Sequence, residues 1–174
     1  MKKNSVLIVI LLAIVAQISC KKDKDCFGAI DIQNISSRNP LAKLGLNTWE
    51  KDINSSIETF KNNIATRNKL EDNIKAVRVD DIRVTLIGDY NFSDFSSGEL
   101  IIDGTKIAVL PPNAKGKEAV FTILVPEIKS IVFAKPQTAG TTLIHTIQFN
   151  GTTTKVFTTA SHLYINMLCC AELK

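Results

Sequence analysis

Residues that usually announce chemistry are scarce in this chain: its 174 residues include two histidines, four cysteines and one tryptophan. No GxSxG elbow surrounds a serine and no HExxH pair occurs, so neither a serine-hydrolase nor a zinc-protease signature is present. A Ser-His-Asp set would have to assemble in space alone, since triads are defined by geometry and not by order. The neighbours Cys169 and Cys170 exclude a CxxC redox motif and have no zinc-ligand spacing. No Arg/Lys stripe with interleaved aromatics appears, so no nucleic-acid partner is expected. No apolar run reaches the ~20 residues of a transmembrane helix. There is no internal repeat and no flexible linker. No catalytic residue, metal or cofactor is expected.

What is present begins with an export signal. Lys2 and Lys3 precede an unbroken apolar run from Val6 to Ala16, the length of a secretory h-region. The run leads into Gln17-Ile18-Ser19-Cys20. A small residue before a cysteine, just after an h-region, resembles the lipobox of bacterial lipoproteins. Ser19 and Cys20 match that pattern, Ile18 is tolerated, and Gln17 departs from its preferred aliphatic residue. The resemblance implies cleavage after Ser19, a lipid on Cys20 and attachment to the membrane through that lipid. An ordinary signal peptide, leaving Cys20 for a disulfide, is the alternative. Lys21 to Asp25 are all charged and suit a solvated tether. The expected division is a signal peptide at 1–19, a lipidated tether at 20–25 and one β-rich domain at 26–174. Inner-membrane lipoproteins often carry Asp after the lipidated cysteine. Lys21 stands there instead, which implies the outer membrane, on its periplasmic face or at the cell surface.

Removing the signal takes away two lysines and no acid, so the formal charge falls from +4 to about +2. With Cys20 lipidated, Cys26, Cys169 and Cys170 remain in an oxidising compartment, enough for one bridge and a leftover thiol. Leu163, Ile165, Met167, Cys169 and Ala171 alternate onto one face, and Cys170 falls on the other. Cys26, Ile30 and Ile32 share a face in the same way, so a Cys26–Cys169 bridge is expected to staple the first strand to the last. Three reduced cysteines are the alternative.

Along the mature chain, Phe27–Gln33 reads as a strand. From Thr48, the spacing of Trp49, Ile53, Ile57, Phe60 and Ile64 predicts an amphipathic helix capped by Asn47 or Thr48. Val77 and Val79 have one parity, whereas Ile82, Val84 and Leu86 have the other. A bulge at Asp80-Asp81, or two strands with a turn there, would reconcile them. Asp103-Gly104 between apolar runs predicts a hairpin, and Asn150-Gly151 predicts a second. Glu118–Val125 and Ile128–Lys135 read as strands, and a closing strand runs from about His162 to Leu173. Seven to nine short strands with one helix near the start indicate a mainly β fold, an antiparallel β-sandwich or Greek-key barrel. The segment from Ile74 to Leu110, taken with the lipobox, resembles small β-rich lipoproteins of Gram-negative envelopes.

His145, in apolar company, reads as a satisfied core histidine. Asp89, Asn91, Ser93 and Asp94 alternate like the opening of a calcium loop, but the required glycine and glutamate are replaced by Asp94 and Leu100. A polar loop with buried Phe92 and Phe95 fits better. Asp80 and Asp81 point oppositely on a strand and do not flank one glycosidic bond. The expectation is a lipid-anchored, non-catalytic envelope module that binds an envelope protein or glycan or serves a structural role. A pilin- or adhesin-like subunit is the second reading, and a small hydrolase the third.

Overall fold

A computed structural model describes residues 24–38, 43–66, 71–136, 138, 140–157 and 160–174, with backbone alone at 24–27 and 65–66. The expected signal peptide, Cys20 and Lys21 lie outside the described residues. The strands are β1 (Lys24–Ser37), β2 (Gly45–Asp52), β3 (Ile74–Ile87), β4 (Phe95–Ile102), β5 (Thr105–Val109), β6 (Glu118–Val120), β7 (Thr122–Ile123), β8 (Thr146–Thr153) and β9 (His162–Leu173). Helix α1 spans Asn54–Thr66 and a single turn, α2, spans Lys129–Val132. β1 takes in Lys24 and Asp25, which were expected in the tether.

All nine strands join one antiparallel sheet in the order β6-β3-β9-β1-β2-β8-β4-β5-β7. Its two ends meet on consecutive residues. β6 pairs with β3, β7 pairs with β5, and between them the Phe121 N–H donates to Ile82 O at 2.8 Å. The sheet is therefore nearly closed, and its inner face needs no second sheet to cover it. Ile30, Ile32, Val79, Val84, Ile165 and Met167 are all buried in one core. The seam between β1 and β2 is short, its register joining only Ser36 to Glu50 and Ser37 to Trp49. α1 packs against β1 and buries Ile57, Phe60 and Ile64, each contributing roughly 1.5–3 kcal/mol.

β3 is one strand with a bulge. Val79 opposes Cys169 and Asp81 opposes Leu168, so Asp80 is the extra residue that keeps Val77, Val79, Ile82 and Val84 all buried. The Asp103-Gly104 hairpin also forms, with φ of 50° and 79°, because both residues tolerate the left-handed region.

Three expected elements differ. The helix starts at Asn54 and not at Thr48, and Asp52 Oδ1 accepts the Asn54 N–H at 2.8 Å. Trp49 lies on β2, which pairs with β8 along its whole length, from Gly45 opposite Thr153 to Asp52 opposite Thr146. Asn47, expected as a helix cap, is instead buried and donates to Lys43 O, Gly45 O and Thr153 Oγ1. Ile128–Lys135 holds the turn α2 in place of a strand, and buried Ile128 and Val132 sit one helical turn apart.

Asn150-Gly151 is not a hairpin turn but the middle of β8. Gly151 faces Asn47 on one side and Gly98 on the other. A Cβ on Gly151 would lie 2.7 Å from the Phe95 ring, and one on Gly98 would lie 2.7 Å from the Phe149 ring. The glycine pair thus makes a flat floor on which an aromatic cluster rests. Trp49 stands 5.8 Å from Phe95 and 5.4 Å from Phe149, centroid to centroid, in tilted geometry.

Candidate functional site

β9 alternates as its sequence demands, with Leu163, Ile165, Met167, Cys169 and Ala171 buried in the core. Cys169 is a free thiol, whereas Cys170 is disulfide-bonded. This corrects the expected Cys26–Cys169 bridge at Cys169. Cys26 opposes Cys170 and Gly28 opposes Cys169, leaving Phe27 as an inserted residue in β1. One inserted residue exchanges the two faces, so parity counted back from Ile30 fails at Cys26. The side chain of Cys26 lies outside those described. Cys170 is fully buried although it lies on the outer face, where its Sγ is 3.2 Å from Asp80 Oδ2. Burial, reinforced by the Asp80 charge, pushes the Cys169 thiol up to about 12.

In the calcium-like loop Asp94 is committed to protein donors. Asp94 accepts the Asn91 N–H at 2.8 Å and the Lys155 ammonium at 2.8 Å. Burial favours the neutral acid, but these donors outweigh it and hold Asp94 below the usual carboxylate range. Phe92 and Phe95 are buried as expected. Asp81 pairs with Arg83 at 2.7 Å, so the adjacent acids share no site. His162 is half-buried, with Nδ1 3.3 Å from Ser36 Oγ. On the same outer face, Asp31 Oδ1 accepts the Tyr164 hydroxyl at 2.7 Å and the Asn166 amide. Hydrogen bonding to this carboxylate, with some burial, raises the Tyr164 phenol.

A further hydrogen-bonded arrangement among the described residues centres on His145. The lead-in to β8 is clamped to the start of α1 by Asn54: its Oδ1 accepts the His145 N–H at 2.7 Å and its Nδ2 donates to Leu143 O at 2.9 Å. The Ile53 N–H donates to His145 O at 2.9 Å. Across the sheet, Ile102 opposes Ile147, which brings the β4–β5 turn beside the head of β8. There Asp103 Oδ1 accepts the Thr146 N–H at 2.9 Å, and Oδ2 lies 2.6 Å from His145 Nδ1. A carboxylate only accepts, so the neutral ring carries its proton on Nδ1 and leaves Nε2 as an acceptor.

His145 is 4% exposed and lines a groove of about 320 Å³ between α1 and the segment preceding β8. Nε2 has no protein partner among the described residues, and no fully buried polar side-chain atom there is left unsatisfied. Nε2 therefore opens into the groove. Leu143 and Pro136 supply apolar wall, with Thr142 beside them; Glu58 and Lys61 stand on α1 as an ion pair at 2.9 Å. His145 is thus a buried histidine, as expected, but one with a free acceptor. Asp103 was legible only as a turn residue, because nothing in the sequence links positions 42 apart.

The class these features define is a mainly β protein with a nearly closed antiparallel sheet and a side groove holding a carboxylate-oriented histidine. No protein-family model, curated protein or solved structure matches the chain.

Proposed function

We propose that this is a lipid-anchored lipoprotein of the bacterial outer membrane, whose Greek-key-type barrel serves as a non-catalytic binding module with its ligand site in the His145 groove. Two features support the reading. Ser19-Cys20 after the apolar run supplies the anchor, and Lys21 stands where a retention Asp would otherwise be. The binding half is carried by one observation, a deeply buried imidazole whose Nε2 faces the groove without a protein partner. Burying a polar ring and aiming its unused acceptor into a concavity costs stability unless a ligand or water completes it. Cys20→Ser should abolish labelling by a fatty-acid analogue and detergent-phase partitioning. A variant that labels and partitions like the parent would overturn the anchor.

A hydrolase is the second reading, favoured by the His145–Asp103 pair. It lacks a nucleophile, since no hydroxyl or thiol donates to Nε2 among the described residues. A pilin-like subunit would need an accepting sheet edge. On β1, the carbonyls of Asp31 and Gln33 already accept from Ser56 and Lys51.

A further inference from the structure

We infer that the groove takes one pyranose unit of an envelope glycan, with a ring hydroxyl donating to His145 Nε2. This rests on the binding reading above and names its ligand class. The volume, about 320 Å³, is at the lower end for small-ligand sites and suits one sugar ring, not an extended polymer.

Charge excludes the commonest alternatives. Glu58 and Lys61 neutralise each other at 2.9 Å, so the α1 side of the groove has no surplus charge for a phosphate or an organic cation. Among the described residues no three His, Cys, Asp or Glu side chains converge on a metal site. A peptide strand would need open backbone along the wall, but Leu143 O, His145 N and His145 O are all occupied by Asn54 and Ile53.

A sugar meets the remaining demands together. Its hydroxyls both donate and accept, so one ring can donate to Nε2 and to Glu58 while accepting from Lys61. Thr142 adds a further hydroxyl at the rim, and the C–H face of the ring finds Leu143 and Pro136. Asp103 acts as a positioning residue: it holds the proton on Nδ1 and so keeps Nε2 an acceptor.

The test uses the full-length lipidated protein in a sugar-free detergent. The methyl pyranosides of glucose, galactose, mannose and N-acetylglucosamine are titrated by saturation-transfer NMR. In parallel, acylation of His145 by diethyl pyrocarbonate is followed by mass spectrometry. At least one pyranoside should bind and slow the acylation. His145→Gln should weaken binding by about tenfold, the loss of one hydrogen bond. Lys61→Met, outside the hydrophobic core, should weaken it several-fold with the far-ultraviolet spectrum unchanged. No binding by any pyranoside, or binding insensitive to both variants, overturns the inference. If a mixture of short peptides slows the acylation and no sugar does, the binding groove stands and the sugar class falls. If neither slows it, both readings fall.

Discussion

Gly151→Ala tests whether the aromatic floor, and not a turn, requires glycine at the centre of β8. The backbone there is not in the positive-φ region, so alanine meets no conformational penalty of the kind a hairpin glycine would impose. The penalty comes from packing. The new methyl would lie 2.7 Å from Cδ1 and Cε1 of Phe95 and 2.9 Å from Cε1 of Phe149. Neither ring can swing away freely, because Phe149 is fully buried and Phe95 is wedged against Trp49, Phe92 and Phe157. Overpacking of this kind costs about 1–3 kcal/mol. With a urea m-value of about 2 kcal/mol/M, a cost of about 2 kcal/mol lowers the unfolding midpoint by about 1 M. Trp49 is the only tryptophan and stands in this cluster, so its fluorescence reports the transition. The decisive measurement is a double-mutant cycle with Phe95→Leu. With the Phe95 ring gone only the Phe149 contact at 2.9 Å remains, so Gly151→Ala should cost about 1 kcal/mol less in that background, a coupling of about 1 kcal/mol. Equal costs in both backgrounds would refute the packing account and return Gly151 to a purely backbone role.

Four further outcomes follow from the cysteines, Asp94 and the Phe27 bulge. Native protein treated with iodoacetamide at pH 8 should leave Cys169 unmodified, because its thiol is pushed up to about 12, and unfolding should release it to label. Non-reducing peptide mapping should find Cys170 joined to Cys26, its register partner, and reduction should lower stability by roughly 3–5 kcal/mol; a bridge at Cys169 would refute the register. Asp94 is held below its unfolded value, so its stabilisation is present above the ordinary carboxylate range and lost as pH falls through the folded value. Asp94→Asn should therefore cost at most about 1 kcal/mol at pH 7, with the difference from wild type shrinking steadily on acidification below the ordinary carboxylate range; a gap that widens on acidification would reverse the sign. Deleting Phe27 should move Cys26 to the parity of Cys169, so that mapping no longer finds Cys170 in a bridge with it.

Local chemistry made much of this protein legible from its sequence. Alternation marked the inner face of β9, opposed parities required a bulge or a turn at Asp80-Asp81, and Asp103-Gly104 announced its turn, since each signal depends only on residues a few positions apart. The helical spacing of Ile57, Phe60 and Ile64 was equally local. Trp49 joined it by coincidence, because β2 was claimed by pairing with β8, about a hundred residues away. Asn150-Gly151 carried the same turn signal as Asp103-Gly104, but only the rings of Phe95 and Phe149 decided that this glycine serves close approach. The cysteine faces turned on Phe27, an insertion visible only against the register of β9. The candidate site was the least legible part. Asp103 meets His145 because β4 lies beside β8, and Asn54 clamps the lead-in to β8 because α1 packs against β1. Periodicity says which face a side chain takes, but only strand order and register say what stands opposite it, because those depend on pairings far apart in the chain.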